Sequence, residues 1–257
     1  MVLSVVAVAL FAPVLTPFDP YELGVGPLIS PSSRAHLMGT DNFGRDMLTR
    51  VIYGARISLT VALSVTSLAF ATGVTIGLLT GYFGGVADLV VMRIIDMMFA
   101  FPYILIALTI GAVIGPGLNT VLVALVIAYT PNFVRMTRGL VLSIKQKEYI
   151  EATRAIGVRH GAVMLRHILP NALSPLIVQA TAVMSFSILA EAGISYLGLG
   201  TRPPTPSWGL SLADGSPFLW VGPHMVVFPG LAISYVVLAF NVLGDGLRDI
   251  LDPRSRP

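Results

Sequence analysis

The chain has 257 residues, of which 55% are hydrophobic and 11% charged, and its mean hydropathy is +0.83. A soluble domain carries about a quarter charged residues, so most of this chain's surface must face something other than water. The formal charge of +3 comes without a basic run interleaved with aromatic residues, which argues against nucleic-acid binding. The absence of cysteine excludes disulfides and cysteine-ligated metal sites.

The first apolar segment covers residues 2–15 and is closed by Pro13 and Pro17. It lacks the Lys- or Arg-bearing start that a signal peptide has. We therefore predict a first transmembrane helix, short and with its start cut off, in a unit spanning 1–18. The following unit, 19–56, is predicted to be an external loop that contains an interfacial amphipathic helix at 41–54.

The rest of the chain, 57–257, is predicted to be a transmembrane domain. A helix that crosses a bilayer needs about 20 apolar residues, and Gly- and Pro-rich breaks separate five further segments of about this length. With the first segment they predict an all-α polytopic membrane protein with six transmembrane helices and both ends on one side. The five segments are 57–82, 89–114, 118–134, 176–197 and 224–243.

The distribution of Lys and Arg predicts the orientation, because these residues accumulate in short cytoplasmic loops. Eleven of them lie on the face of the polar loop between spans four and five, including Arg93 and the tail residues Arg248, Arg254 and Arg256, and five lie on the opposite face. This count places the loop, within 135–171, and the C-terminus in the cytoplasm.

That loop contains a charged segment with the features of a short helix. Glu148 and Glu151 stand at its start, and Arg154 and Arg159 follow its end. This order of charges suits the helix dipole. Gly157 is well placed just beyond the C-terminus, where a positive φ is tolerated.

The same segment has a narrow face of small and apolar residues, formed by Ala152, Ala155 and Ile156. Pro170 suits the first turn of the next span and predicts an extended Leu169, which makes a corner between loop and membrane. Such a helix is suited to passing a push from a cytoplasmic partner into the membrane. An ordinary solvated loop remains an alternative from the residue pattern alone.

A resemblance to a known family favours a helix that docks on a cytoplasmic partner over a solvated loop. The signature Glu-Ala-Ala, three residues, Gly, then a distant Leu-Pro is similar to that of ATP-binding-cassette importer permeases. Thr153 stands at the second Ala, and the form of residues 166–171 resembles the dipeptide, oligopeptide and nickel branch. Longer stretches resemble the C-type permease subunit of that branch: 37–46, 52–59, 81–85, 100–102, 196–200, 203–209 and 244–249.

The resemblance implies a type I importer permease fold in the bacterial cytoplasmic (inner) membrane. It also implies three kinds of partner: a second permease, two cytoplasmic ATPase subunits and an external solute-binding protein. The chain would then form half of a pathway, chiefly for di- or oligopeptides, and couple to the ATPases through the 148–157 helix. The residues expected to carry this coupling are Glu148, Glu151, Ala152, Thr153, Ala155, Ile156, Gly157, Leu169 and Pro170.

No G-x-x-x-x-G-K-[ST] motif occurs in the sequence. ATP and Mg are therefore expected in the partner ATPases, with no cofactor and no catalytic residue in this chain. The four histidines are scattered over different loops and span ends, so no metal site is predicted.

Two carboxylates lie at or near membrane depth, where ionisable residues are functional by default. Asp96 is predicted to pair with Arg93, three residues earlier on the same helix face. Glu191 has no basic residue within a helical turn, so it is expected to line the pathway or to meet a partner across a dimer. Small residues of span five, such as Ser185, Ser187 and Ala190, are expected to meet the second permease.

The solute stays open, because an external binding protein makes much of the selection. Nickel chelates or another small solute are alternatives to peptides. An ion-coupled secondary transporter is an alternative of a different class. It would place ionisable residues at matched positions of two repeats, and Asp96 and Glu191 are not so matched.

Overall fold

The computed structural model describes residues 1–251, and these residues form an all-α chain. Among them, four helices are long and apolar enough to cross a membrane, or five if the bent pair Gly85–Phe99 and Tyr103–Ile114 counts as one span, so the prediction of six spans is not met in this part of the chain. The predicted all-α polytopic class is therefore confirmed. Arg254 and Arg256, which were counted for the orientation, lie outside the described residues. The helices are α1 (Val2–Leu10), α2 (Ala12–Leu15), α3 (Met47–Phe83), α4 (Gly85–Phe99), α5 (Tyr103–Ile114), α6 (Leu118–Ile144), α7 (Glu148–Ala155), α8 (His160–Ala162), α9 (Leu169–Tyr196), α10 (Trp208–Gly215) and α11 (His224–Leu251).

Helix α3 has 37 residues, a length of about 55 Å at 1.5 Å per residue. It begins where the Asp46 carboxylate accepts a hydrogen bond from the Thr49 amide at 2.8 Å. The predicted interfacial helix at 41–54 is wrong, because the residues from Met47 onward are the first turns of α3 itself. Protein rather than lipid headgroups covers these turns, since Arg50 and Gly54 are buried.

Helices α3 and α6 pack closely against each other and run parallel. Gly73, Gly77 and Gly81 of α3 face α6 so closely that added Cβ atoms would lie within 3 Å of its atoms. The nearest atoms belong to Phe133, to Val134 and to Val141, in that order along α6. Small residues at such contacts let helix backbones approach, which is how helices associate without a hydrophobic driving force in lipid.

The third predicted span, 89–114, is two helices. Helices α4 and α5 meet at a 90° bend around Ala100–Pro102. Pro102 has no amide hydrogen to donate to the preceding turn, so the helix ends before it. Helix α4 packs against α6, where Asp88 of α4 receives two hydrogen bonds from the Arg138 guanidinium at 2.6 and 2.7 Å.

Helix α6 continues to Ile144, so the first part of the predicted cytoplasmic loop 135–171 is helical. The charges of Arg135 and Arg138 suggested a loop, but both side chains have carboxylate partners on α4. At the other end of the loop, α8 runs through a π-helical turn, Val163–Ile168, into α9. The non-helical part of the loop is therefore much shorter than predicted.

The first apolar segment is the nine-residue helix α1, which is shorter than a membrane span. Val5 and Ala9 bury it against α3 and α11. The Arg56 guanidinium donates to the carbonyl oxygens of Ala9 at 2.6 Å and of Leu10 at 3.1 Å. These bonds satisfy acceptors at the end of α1 that its own helix leaves free.

Helix α9 is covered by the chain itself on the face where small residues were expected to meet another permease. Ser185, Ser187 and Ala190 are buried within this chain, so the expectation is wrong for these three residues. The large side chains Phe186 and Leu189 are exposed instead. Any partner of α9 therefore meets bulky residues on a different face from the predicted one.

The glycine contact predicts a matched pair of substitutions. In Gly77→Ala the new Cβ would lie 2.6 Å from the Val134 carbonyl oxygen and 2.8 Å from the Thr137 Cβ. We expect a loss of about 1–3 kcal/mol in the free energy of unfolding, because α3 and α6 must separate. Gly139→Ala, where the added Cβ meets nothing within 4 Å, is the control. Thermal unfolding in detergent measures both, and equal transition temperatures would show that the glycine contact is not limiting.

Candidate functional site

The predicted cytoplasmic helix is present as α7, Glu148–Ala155. Glu148 and Glu151 lie in its first turn and Arg154 in its last, so the helix dipole is complemented at both ends. Gly157 has φ +80° and donates its amide hydrogen to the Arg154 carbonyl oxygen at 2.9 Å. The helix therefore ends in the left-handed conformation that glycine adopts most readily.

One face of α7 is anchored in the protein core. Ile150 is fully buried and belongs to a cluster with Tyr82 of α3, Val141 of α6 and Ile168 of the π-helical turn. The sequence analysis did not identify Ile150. Ile150 could have been recognised from the sequence. It is a large apolar residue two positions before Ala152, so in a helix it lies on a different face from the small residues.

The opposite face of α7 is open. Glu148, Glu151, Ala152 and Ala155 are exposed, and Ile156 just beyond them is 81% exposed. Thr153 is half-buried and donates to the Tyr149 carbonyl oxygen at 2.6 Å, so it faces the side of the helix. The structure thus brings the predicted coupling residues of α7 into one small-residue surface with carboxylates at its start.

Polar contacts tie this region to α3. The Tyr82 hydroxyl lies 2.8 Å from His160 Nδ1, and the Arg154 guanidinium lies over the Tyr82 ring at 4.7 Å from its centroid. The Lys145 ammonium donates to the Gly81 carbonyl oxygen at 2.8 Å. Helix α7 is consequently fixed to the end of the α3–α6 pair rather than suspended on a loop.

The predicted corner at Leu169–Pro170 is wrong. Leu169 has φ −57° and ψ −46°, so it is helical and not extended. Proline disfavours a helical residue before it and supplies no amide hydrogen. Here the wider π-helical turn Val163–Ile168 comes just before Leu169 and Pro170, and the helix continues through both residues. Residues His160–Tyr196 therefore form one uninterrupted rod that begins next to α7.

The predicted pair of Arg93 and Asp96 does not form. Asp96 binds Arg135 of α6, with 2.7 Å between Oδ1 and Nη2, while Arg93 is exposed. Spacing along one helix identified a plausible partner, but the 90° bend after α4 brings α6 to the same carboxylate. The Arg135 guanidinium also lies 4.2 Å from the centroid of the Phe99 ring.

Glu191 does not line a pathway in this structure. Its side chain is fully buried between α9 and α3, and Ser195 donates to Oε1 at 2.7 Å and Ser58 to Oε2 at 3.4 Å. The expectation that it faces the pathway or a second subunit is therefore wrong. The two hydroxyl groups satisfy part of the hydrogen-bonding capacity of the buried carboxyl group. The sequence predicted no basic partner for Glu191.

A buried charge cluster on the external side was not predicted as such. Oδ2 of Asp41 lies 2.5 Å from Nε of Arg45 and 3.7 Å from Nε of Arg50. Arg45 also reaches Asp214 of α10 at 3.3 Å. Burial raises the pKa of the Asp214 carboxyl, while the nearby Arg45 and Arg50 oppose this rise. The four-residue spacing from Asp41 to Arg45 was the available signal.

Arg50 lies at the centre of this cluster and joins separate segments. Its Nη1 lies 3.4 Å from the carbonyl oxygens of Pro20 and Pro204. Beside it, the Trp208 indole donates to the Val51 carbonyl oxygen at 2.8 Å. The cluster thus fastens the loop 16–46 and the segment before α10 to the N-terminal end of α3. Within residues 1–251, no group of three or more His, Cys, Asp or Glu side chains is placed to hold a metal ion.

Comparison with known proteins identifies the family of the chain. Residues 73–257 match the family described as binding-protein-dependent transport system inner membrane component. The chain is 43% identical to the dipeptide transport system permease protein DppC of Alkalihalophilus pseudofirmus, over 100% of this chain and 84% of the relative. It is 42% identical to the glutathione transport system permease protein GsiD of Pectobacterium atrosepticum, over 99% and 85%.

Solved structures show a similar fold. The permease chain in inward-facing structures of the MetNI methionine ABC transporter superposes with a TM-score of 0.65, covering 80% of this chain and 98% of that chain at 19% identity. An amino acid ABC transporter bound to histidines superposes with a TM-score of 0.57 at 16% identity, over 80% and 94%. The type I importer permease fold implied by the sequence resemblance is therefore confirmed.

Because Ile150 is buried and Ile156 is exposed, we expect different results when each is replaced by alanine. Ile150→Ala leaves a cavity under the helix, which costs about 2–5 kcal/mol for a buried isoleucine. Because α7 then detaches more often, we expect trypsin to cleave after Arg154 at least about tenfold faster in the detergent-solubilised chain. Ile156→Ala removes an exposed side chain and should leave the cleavage rate unchanged. Equal rates in the two variants would mean that Ile150 does not hold α7.

Proposed function

This chain belongs to the family of binding-protein-dependent transport system inner membrane components and is a multi-pass permease subunit of an ABC importer, and we propose that its solutes are di- and oligopeptides. The relatives that match it over nearly its whole length bear names of dipeptide, glutathione and peptide transport systems. A shared pathway for short peptides accounts for that range. We propose that the chain itself is not an enzyme and that ATP and Mg bind to its partners.

The observation that carries the coupling role is the open face of α7 on an anchored helix. Ala152, Ala155 and Ile156 present apolar surface, and Ile150 holds the helix to the core from behind. A surface that is exposed, small and rigid suits a groove on a partner protein, because little side-chain freedom is lost on docking. We propose that a cytoplasmic ATPase subunit supplies this groove.

The continuous rod His160–Tyr196 supports a path for the resulting motion. It starts beside α7 and crosses the membrane, so a displacement at the ATPase contact moves a whole transmembrane helix. Leu169 and Pro170 lie inside this rod, where we propose that they transmit the displacement without touching the ATPase. This role replaces the corner predicted from the sequence.

The proposed assembly contains this chain, a second permease, two ATPase subunits and an external solute-binding protein, in a bacterial inner membrane. The test is reconstitution of these products of neighbouring genes in proteoliposomes. We expect uptake of radiolabelled dialanine that requires ATP, the binding protein and this chain together. Uptake driven by an ion gradient without ATP would instead favour a secondary transporter.

Gly157 offers a test of coupling that leaves the membrane domain intact. Its φ of +80° is strained for a β-branched residue, although an added Cβ would meet nothing within 4 Å. We expect Gly157→Val to reduce peptide-stimulated ATPase activity at least about tenfold, since a change in the end of α7 tilts its docking face. The control is Gly161→Val, which has equal open space and no positive φ. Normal stimulation in Gly157→Val would overturn the docking role.

The orientation can be tested with single cysteines, because the chain has none of its own. Trp220 is 96% exposed between α10 and α11, and Ile156 is 81% exposed beside α7. We expect Trp220→Cys to react with an impermeant thiol reagent in intact cells. Ile156→Cys and Gly246→Cys, near the end of α11, should react only in inside-out vesicles. The reverse pattern would invert the proposed topology and place the C-terminus outside.

A further inference from the structure

Tyr82 lies at the point where three parts of the chain meet. It is in the last turn of α3 and is only 7% exposed. Its hydroxyl oxygen lies 2.8 Å from Nδ1 of His160, the first residue of the rod. The guanidinium of Arg154, in the last turn of α7, lies 4.7 Å from the centroid of the Tyr82 ring. One buried side chain therefore contacts both α7 and the rod.

These two contacts lie on either side of the turn that joins α7 to the rod. The turn runs from Ile156 to Arg159, and all of its residues except Val158 are exposed. Gly157 has a positive φ, and a Cβ added there would meet nothing within 4 Å. Because so little packs against it, the turn is the part of this connection that bends most easily. A second link across the turn is needed if α7 and the rod are to move together.

The backbone that carries Tyr82 is itself held in place. Gly81, the preceding residue, faces α6 so closely that an added Cβ would lie 2.9 Å from the Val141 Cβ. The Lys145 ammonium donates to the Gly81 carbonyl oxygen at 2.8 Å. The Tyr82 side chain also belongs to the buried cluster that contains Ile150. Tyr82 is thus a fixed point against which both α7 and the rod can be held.

We propose that Tyr82 is a positioning residue for coupling, because it holds the angle between α7 and the rod through its hydroxyl group and its ring. This inference rests on the proposed role of α7 as the contact with the ATPase. With both contacts in place, a displacement of α7 turns the rod. Without the hydrogen bond between Tyr82 and His160, part of the displacement is lost in bending the turn 156–159.

The two contacts of Tyr82 can be separated by one substitution. Arg154 interacts with the ring, and Tyr82→Phe keeps that ring. The contact with His160 needs the hydroxyl group, which Tyr82→Phe removes. Ile150 holds α7 to the core in either case. Tyr82→Phe therefore cuts the link to the rod and leaves α7 attached.

The first test measures the angle in the whole chain in detergent. Spin labels are attached to cysteines introduced by Ala152→Cys on α7 and by Leu189→Cys, which is roughly 44 Å along the rod from His160. Both positions are exposed, and the chain has no cysteine of its own. We expect Tyr82→Phe to broaden the distribution of distances between the two labels, measured by double electron–electron resonance. A distribution of unchanged width overturns the inference, whatever solute the complex carries.

The second test measures peptide uptake per ATP hydrolysed by the reconstituted complex. We expect Tyr82→Phe to lower this ratio about fivefold, which corresponds to the loss of one hydrogen bond. His160→Ala should have the same effect, and the two changes combined should be no worse than either one, because both remove the same bond. His160→Asn keeps a polar group near the position of Nδ1 and should restore part of the ratio. Additive losses in the double variant overturn the inference.

A purely structural role predicts a different result for α7. If Tyr82 only held α7 to the core, Tyr82→Phe would speed trypsin cleavage after Arg154, as is expected for Ile150→Ala. We expect the cleavage rate of Tyr82→Phe to equal that of the unaltered chain, while uptake per ATP falls. Faster cleavage together with lower uptake would overturn the positioning role.

Tyr53→Phe is the matched control. Tyr53 is also on α3 and has the Arg56 guanidinium 5.2 Å from its ring centroid, but its hydroxyl group forms no hydrogen bond within residues 1–251. The substitution should change neither the distance distribution nor the uptake per ATP. An equal loss in Tyr53→Phe and Tyr82→Phe overturns this inference alone. Absence of ATP-dependent uptake by the unaltered complex overturns the proposed function, and the spin-label result then still decides whether Tyr82 holds the angle.

Discussion

A charge taken out of water needs a partner, and this requirement organises the whole chain. Only 11% of its residues are charged, and many of them occur in pairs at helix ends and helix crossings. At the N-terminal end of α3, Asp41, Arg45 and Arg50 bind the loop 16–46 to this helix. On the other side, Asp88–Arg138 binds α4 across α6. Between these levels the helices pack through glycine and apolar side chains.

This arrangement produces rigid units of different length. The α3–α6 pair, joined through Gly73, Gly77 and Gly81, has no space to slide without separating the backbones. The rod His160–Tyr196 lies beside it and carries the contact with α7 at one end. Because packed helices deform little, a change at α7 moves the rod as a body. The anchoring of α7 by Ile150 connects the open face of α7 to these helices.

The sequence predicted what depends on local chemistry. The start and end of α7 followed from two glutamates and Gly157, and the apolar segments located the spanning helices. Features that depend on distant residues were not predictable in this way. Asp96 was assigned to Arg93 because both lie on one helix, whereas the bend at Pro102 places Arg135 of α6 beside it. The charges of Arg135 and Arg138 likewise suggested a loop, since their carboxylate partners are 39 and 50 residues away.

The same two side-chain types thus perform different roles in one pair of helices. Nε and Nη2 of Arg138 both donate to Asp88 and the pair is partly covered, so the contact holds α4 in place. Arg135 and Asp96 share one contact and are about half exposed, so the contact contributes little to stability, as exposed ion pairs generally do. The crossing of α4 and α6 is therefore held mainly at Asp88–Arg138, while Asp96–Arg135 constrains it less.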